Sequence, residues 1–127
     1  MRYNVAMTDV PGTLRVHESS AAEAATRVFV VAGELDLATI AVLKDVVGGA
    51  QRDDVQRGKP RPVVLDLADM TFCDSTGLGS FVALHRAAIA AGTVLSLAAP
   101  RKRVADLLRI SGIDQVIPIH DSVTAAL

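Results

Sequence analysis

Tryptophan is absent from this sequence, and aromatic residues of all kinds make up 3% of it. The core must therefore be built from Val, Leu, Ile and Ala, which the 50% hydrophobic content supplies in quantity. Charge of one sign is lacking too. The formal net charge is -1, where a nucleic-acid binder would show a basic excess. The one basic cluster, Arg101-Lys102-Arg103, is short and reads as the solvated first turn of a helix. A single cysteine, Cys73, excludes an internal disulfide and fits a reducing cytosol. Cys73 reads as a small buried hydrophobe with no second cysteine to support redox chemistry. Cysteine and three scattered histidines make no spaced metal site, so neither metal nor cofactor is expected. No stretch approaches the roughly 20 apolar residues of a membrane span; the most apolar one, Ala87 to Ala99, is broken by Gly92, Thr93 and Ser96. Nothing at the N-terminus has the parts of a signal peptide. The expectation is a soluble, cytoplasmic chain whose 127 residues make one domain.

Met1 to Gly12 is a weakly patterned lead-in, with a turn at Pro11-Gly12. Leu14 to Ser19 alternates as a strand with one exposed face, which places His17 on the solvent side. An alanine-rich link, Ser19 to Thr26, leads to a more buried strand, Arg27 to Ala32. Ala38 to Val47 reads as a helix with Leu43, Val46 and Val47 inward, ended by Gly48-Gly49. Gln51 to Pro62 is charged and carries Gly58, Pro60 and Pro62, which reads as a loop or a poorly ordered helix extension. Val63 to Leu67 is the central strand, Ser75 to Ala91 a helix closed by Gly92, and Val94 to Ala98 the next strand. Arg101 to Ile110 is a helix with Pro100 at its start and Gly112 past its end. Val116 to Ile119 is a short edge strand, since Pro118 cannot donate to a ladder. Ser122 to Leu127 begins a last helix. Strands joined by helices predict an α/β fold with a mixed, mainly parallel sheet of about five strands packed with helices.

The chemistry concentrates in Asp74-Ser75-Thr76-Gly77-Leu78-Gly79, between a buried strand and a helical pattern of Leu78, Phe81, Val82, His85, Ala88 and Ile89. Two hydroxyls and two glycines thus stand at a helix N-terminus, where unpaired N–H groups and the positive end of the macrodipole receive an anion. Two readings fit these residues. One is a helix cap, for which Asp, Ser and Thr are the favoured types. The other is a hydroxyl that carries a phosphate. A nucleophilic Ser75 fits poorly, because its flanking residues are Cys73 and Gly77, and the cysteine stands where a Gly-x-Ser-x-Gly elbow needs its first glycine. His85, ten residues along the same helix, would lie about 15 Å away. His17 and His120 have no place fixed by sequence. Asp36 reads either as the cap of the helix starting near Leu37 or as a surface carboxylate. Asp66 reads as a turn carboxylate at a strand end, and His85 as a satisfied histidine at the edge of the core.

Three elements together resemble one family. Val63 to Phe81, with Asp66-Leu67, Phe72 and Asp74-Ser75-Thr76-Gly77-Leu78-Gly79, is similar to the signature of STAS domains, and among these to bacterial anti-sigma factor antagonists. Upstream stands Val30-Val31-Ala32-Gly33-Glu34-Leu35-Asp36; downstream stands the amphipathic stretch Arg103 to Ile113. The resemblance covers Leu14 to Leu127, and it implies the STAS fold and a phosphorylation switch. Ser75, directly after Asp74, would accept phosphate from an anti-sigma factor that is also a serine kinase. The unphosphorylated chain would bind that factor and release a sigma factor; the phosphorylated chain would let go. The Asp36 loop would lie beside the acceptor and form a partner surface with Asp74, Ser75, Thr76, Gly77 and Leu78. A phosphatase would reset the switch. No catalytic residue, cofactor, metal, nucleic acid or membrane enters this scheme. STAS domains that are never phosphorylated, adaptors in lipid-transport or stress-signalling complexes, are the alternative; a complete acceptor motif in a free-standing domain favours the antagonist.

Overall fold

The computed structural model describes residues 12–19 and 25–127. The lead-in before Gly12 and the centre of the alanine-rich link lie outside them. Strand β1 (Leu14–Glu18) pairs antiparallel with β2 (Arg27–Leu35). β2 then pairs in parallel with β3 (Val63–Asp66) and, further along, with β4 (Met70–Cys73). β3 pairs in parallel with β5 (Leu95–Ala98), and β5 with the two-residue β6 (Ile119–His120). The order is β1-β2-β3-β5-β6, with β4 continuing the line of β3 alongside β2. The mixed, mainly parallel sheet is as expected, with six strands.

β4 has no counterpart in the sequence reading. Its four residues run straight into the helix cap at Asp74, too short for a period of two to register. β6 is also shifted. Val116 is exposed and closes a 3-10 turn (Ile113–Gln115), while Ile117 is fully buried as a plug and pairing begins only at Ile119.

The first helix differs most from expectation. α1 (residues 40–56) comprises α-helical Ile40–Leu43, π-helical Lys44–Gly48 and α-helical Gly49–Gln56. Gly48 and Gly49 do not end it. Both hold right-handed helical angles, with φ of -61; Gly48 ends a π-helical turn and Gly49 opens the α-helical segment after it. Gly48 is buried, and a Cβ there would crowd the Arg52 guanidinium at 3.3 Å and meet Leu84 of the next helix at an ordinary 3.8 Å. The terminator is Gly58, with φ +70. The Gly58 amide donates to the Val55 carbonyl at 3.0 Å and the Lys59 amide to that of Asp54 at 2.9 Å, the paired bonds of a Schellman cap. Gly92 and Gly112 close α2 (Ser75–Ala90) and α3 (Lys102–Ile110) at positive φ, as the sequence predicts.

Helices α1, α2 and α3 cover one face of the sheet. Leu43, Val47, Leu78, Phe81, Leu84, Val104 and Leu108 meet Phe29, Val31, Leu65 and Leu97 there. On the other face Val28, Val64 and Ala98 receive Val123 and Ala126 of the short α4 (Val123–Ala126). The alternation along β2 and β3 produces both faces.

One buried carboxylate fastens α1 to the sheet. Asp54 is 3% exposed. It accepts from Arg61 Nη2 at 2.7 Å and from Arg27 Nη1 at 3.1 Å, while Arg27 also grips Glu18 at 2.7 and 2.8 Å. The Arg61 hydrogen bond, helped by Arg27 and opposed by burial, holds Asp54 below its ordinary range; the Arg27 hydrogen bond does the same for Glu18. Asp54→Asn should therefore cost roughly 2 kcal/mol in denaturant unfolding. That is less than the 3–5 kcal/mol of an unmated buried charge, because Arg27 keeps Glu18 and the Arg61 side chain is 37% exposed. Both folded carboxylates titrate below their unfolded values. Their contribution is thus complete above the ordinary carboxylate range and is lost as the pH falls through the lower folded values. The stability gap between wild type and Asp54→Asn should narrow on acidification below about pH 4.

Candidate functional site

The site stands where two parallel strands end side by side. Leu35 of β2 pairs with Cys73 of β4, and the Leu35 carbonyl accepts from the Asp74 amide at 3.2 Å. Asp74 is extended, with φ -104 and ψ -176, and the chain turns into α2 directly after it. Its Oδ1 accepts from the Gly77 amide at 2.8 Å and its carbonyl from the Leu78 amide at 3.0 Å. The side-chain cap is therefore Asp74, and the two readings of the motif separate. Ser75 has no capping duty. It is exposed, and its hydroxyl has no hydrogen-bond partner among the described residues. Thr76 is half-buried. Gly77 and Leu78 are buried, so they shape the surface from beneath. Gly77 cannot be enlarged: a Cβ there would stand 2.9 Å from Cys73 Sγ, Leu35 Cγ and the Leu35 carbonyl oxygen.

The neighbouring loop is just as firmly built. Gly33, at φ +105, lies at the point where the β2–β4 register shifts, and a Cβ would run into the Thr13 carbonyl oxygen. This glycine bulge bends the end of β2 toward the Asp74–Ser75 turn. Asp36 and Thr39 then cap each other. Asp36 Oδ1 accepts from the amides of Ala38 and Thr39 at 3.0 and 3.1 Å. Thr39 Oγ1 accepts from the Asp36 amide at 3.0 Å and donates to the Glu34 carbonyl at 2.8 Å. That reciprocity resembles a capping box, but it closes the turn before the helix: the helix begins at Ile40 with Thr39 at its N-cap position, so Asp36 braces the entry turn and is not the cap of a helix starting near Leu37. Leu37, between the two, is 73% exposed. The sequence reading passed over Leu37, since nothing in its pattern tells an uncovered leucine from a core one.

The order β1-β2-β3-β5-β6, the Asp74–Ser75 turn at the carboxyl ends of β2 and β4, and the STAS domain model that matches residues 16–126 agree. The chain belongs to the STAS domain family. Within it, the anti-sigma F factor antagonist of Paenibacillus polymyxa is 30% identical over 97 residues, which cover 76% of this chain and 80% of that protein. A TM1081 homolog from Thermotoga neapolitana is 31% identical over 65 residues; that match spans 51% of this chain and only 58% of the relative. Among solved structures, an anti-sigma factor antagonist from Mycobacterium paratuberculosis superposes with a TM-score of 0.79 at 21% identity, over 92% of this chain and 93% of that one. The phosphorylated form of the Bacillus cell fate determinant SpoIIAA gives 0.60 at 17% identity, over 83% and 90%. These two structural likenesses speak for the fold.

The remaining candidates of this STAS domain are structural. Burial, then the charge of Asp74, push the Cys73 thiol up to about 12, which keeps it protonated and inert as a packing residue. Asp66 Oδ1 accepts from the Ala68 amide at 3.1 Å, a turn bond as expected. Arg101, Lys102 and Arg103 are exposed; Arg101 Nε donates to the Ala68 carbonyl at 2.8 Å and Lys102 pairs with Asp106 at 2.8 Å. His85 corrects an expectation. Its Nδ1 is buried without a partner among the described residues, so it is not the satisfied histidine that the sequence suggests. Among the described residues no histidine hydrogen-bonds Ser75, no cluster could hold a metal, and no helix is long and apolar enough to cross a membrane.

Proposed function

We propose that this STAS domain is an anti-sigma factor antagonist switched by phosphorylation of Ser75. While Ser75 carries a hydroxyl, the surface formed by Ser75, Thr76, Asp74 and the Asp36 loop binds an anti-sigma factor with serine kinase activity, in the cytoplasm, and a sigma factor is released. Once Ser75 carries a phosphate the complex parts, and a phosphatase restores it. The domain acts by binding and neither contacts nucleic acid nor catalyses a reaction. One observation carries the reading: the capping work at the head of α2 is done by Asp74, which leaves Ser75 exposed and unpartnered. A serine that stabilises nothing and stands at the tip of a 16-residue helix is available to a kinase. The first-turn amides not taken by Asp74 face the place where the phosphate would sit. The family's antagonists support the partner class.

Incubation with the anti-sigma factor kinase of the same cell and ATP, followed by peptide mass spectrometry, tests this. Phosphate should appear on Ser75, and Ser75→Ala should take up none and stay bound in the presence of ATP. Phosphate mainly on Thr76 would sink the assignment. Binding to transporter subunits with no ATP-driven release would return the domain to the adaptor role.

A further inference from the structure

The turn that carries Leu37 is held from within by Asp36, Thr39 and Glu34, and none of those bonds involves the Leu37 side chain. Leu37 is 73% exposed, so it contributes little to the core. The Asp36 carboxylate spends Oδ1 on the turn, and Oδ2 has no partner among the described residues. From Gly33 to Leu43 the chain carries Glu34 and Asp36 and no cation. An apolar knob therefore stands on a rigid, acidic loop. That loop is tied to the acceptor turn by the 3.2 Å bond between the Asp74 amide and the Leu35 carbonyl. Leu37 lies two residues from one end of that bond and Ser75 one residue from the other, within about 15 Å by chain geometry. Both fit on one standard protein interface.

We infer that Leu37 is the main apolar anchor of this domain on its anti-sigma factor, seated in an apolar socket whose rim supplies an Arg or Lys donor to Asp36 Oδ2. The inference rests on the proposed function and adds the chemistry of the partner surface. Three points support it. The loop is already ordered, so docking costs little conformational entropy. Burial of an exposed leucine is worth a tenfold or greater gain in affinity, to order of magnitude. The carboxylates beside the knob make a basic rim the complementary surface. Phe72, the other large apolar side chain near the acceptor, is only 43% exposed and is fixed within β4.

Titration calorimetry against the anti-sigma factor that phosphorylates the wild-type chain decides it. Leu37→Ala should bind roughly tenfold more weakly and Leu37→Lys on the order of a hundredfold. Ile110→Ala, a control at a site 74% exposed on α3, should stay within about twofold of wild type. All three should melt with the wild type. Leu37→Ala with wild-type affinity, while Ser75→Asp still abolishes binding, overturns the anchor and leaves the switch standing. A wild-type chain with no affinity for any anti-sigma factor of its cell overturns both.

Discussion

Ser75→Asp should leave the domain folded, with its melting point within about 3 °C of wild type, yet weaken the anti-sigma complex by about a hundredfold or more. The two expectations come from different places. Inside the domain, the new carboxylate stands at the N-terminus of α2. The helix dipole favours it by roughly 0.3–1 kcal/mol, and repulsion from the neighbouring Asp74 opposes that gain. No hydrogen bond is lost, because the Ser75 hydroxyl makes none among the described residues. At the interface the balance is different. A socket formed around a hydroxyl must accept a charge for which it holds no mate, and a hundredfold loss needs only about 2.8 kcal/mol, well within the cost of such a charge. Phosphate, with about -1.5 to -2 charges, should act in the same direction and more strongly. Amide spectra of the phosphorylated chain should shift near Ser75 and in the Asp36–Thr39 turn. Shifts across the whole sheet, or a variant that binds as wild type does, would contradict a local switch.

The parts of this molecule that were readable in the sequence are those decided within a few residues. Asp74 followed by Ser75 and a helical pattern announces a capped helix, and the structure honours it with a 2.8 Å bond from the Gly77 amide. Gly92 and Gly112 announce stops, because each follows a complete apolar stripe. Gly48-Gly49 has the same local look and the opposite outcome. Whether a glycine stops a helix depends on its surroundings, and here Gly48 is buried against α2 and both glycines keep right-handed helical angles. The residues before Gly58 read as a loop or a poorly ordered helix extension because Arg52, Asp53, Asp54 and Arg57 are all charged; the helix does run on to Gln56, and Asp54 is an inward hook for Arg27 and Arg61. That pairing spans 27 positions between Arg27 and Asp54, a distance at which no period reports. β4 was hidden for a related reason: four residues become a strand because β2 extends past the end of β3 and offers them an edge. At the site itself, residue types point to hydroxyls at a helix start, whereas only the folded arrangement assigns the cap to Asp74 and leaves Leu37 uncovered.

The two glycines of the motif should part company when each becomes alanine. At Gly79 an added Cβ meets nothing within 4 Å, and the residue is in the first turns of α2. Alanine there gains helix propensity, so Gly79→Ala should stabilise by up to about 1 kcal/mol and leave partner binding nearly unchanged. At Gly77 the same gain is overrun. The Cβ would press at 2.9 Å on Cys73 Sγ, Leu35 Cγ and the Leu35 carbonyl oxygen. None of these can retreat easily. Leu35 is fully buried and Cys73 is 3% exposed, and the Leu35 carbonyl is the acceptor that ties β2 to the Asp74 amide. Overpacking of this kind costs roughly 1–3 kcal/mol, and pushing Gly77 outward also stretches its amide from the Asp74 carboxylate. Gly77→Ala should therefore be destabilised by about 2 kcal/mol, leaving the two variants roughly 3 kcal/mol apart in urea unfolding. It should also lose partner affinity, because the same shift lifts Ser75 and separates the acceptor turn from the Leu37 loop. Equal stabilities for Gly77→Ala and Gly79→Ala would mean that Leu35 and Cys73 yield freely, and that the close seat of α2 on β2 is not what sets Ser75 in place.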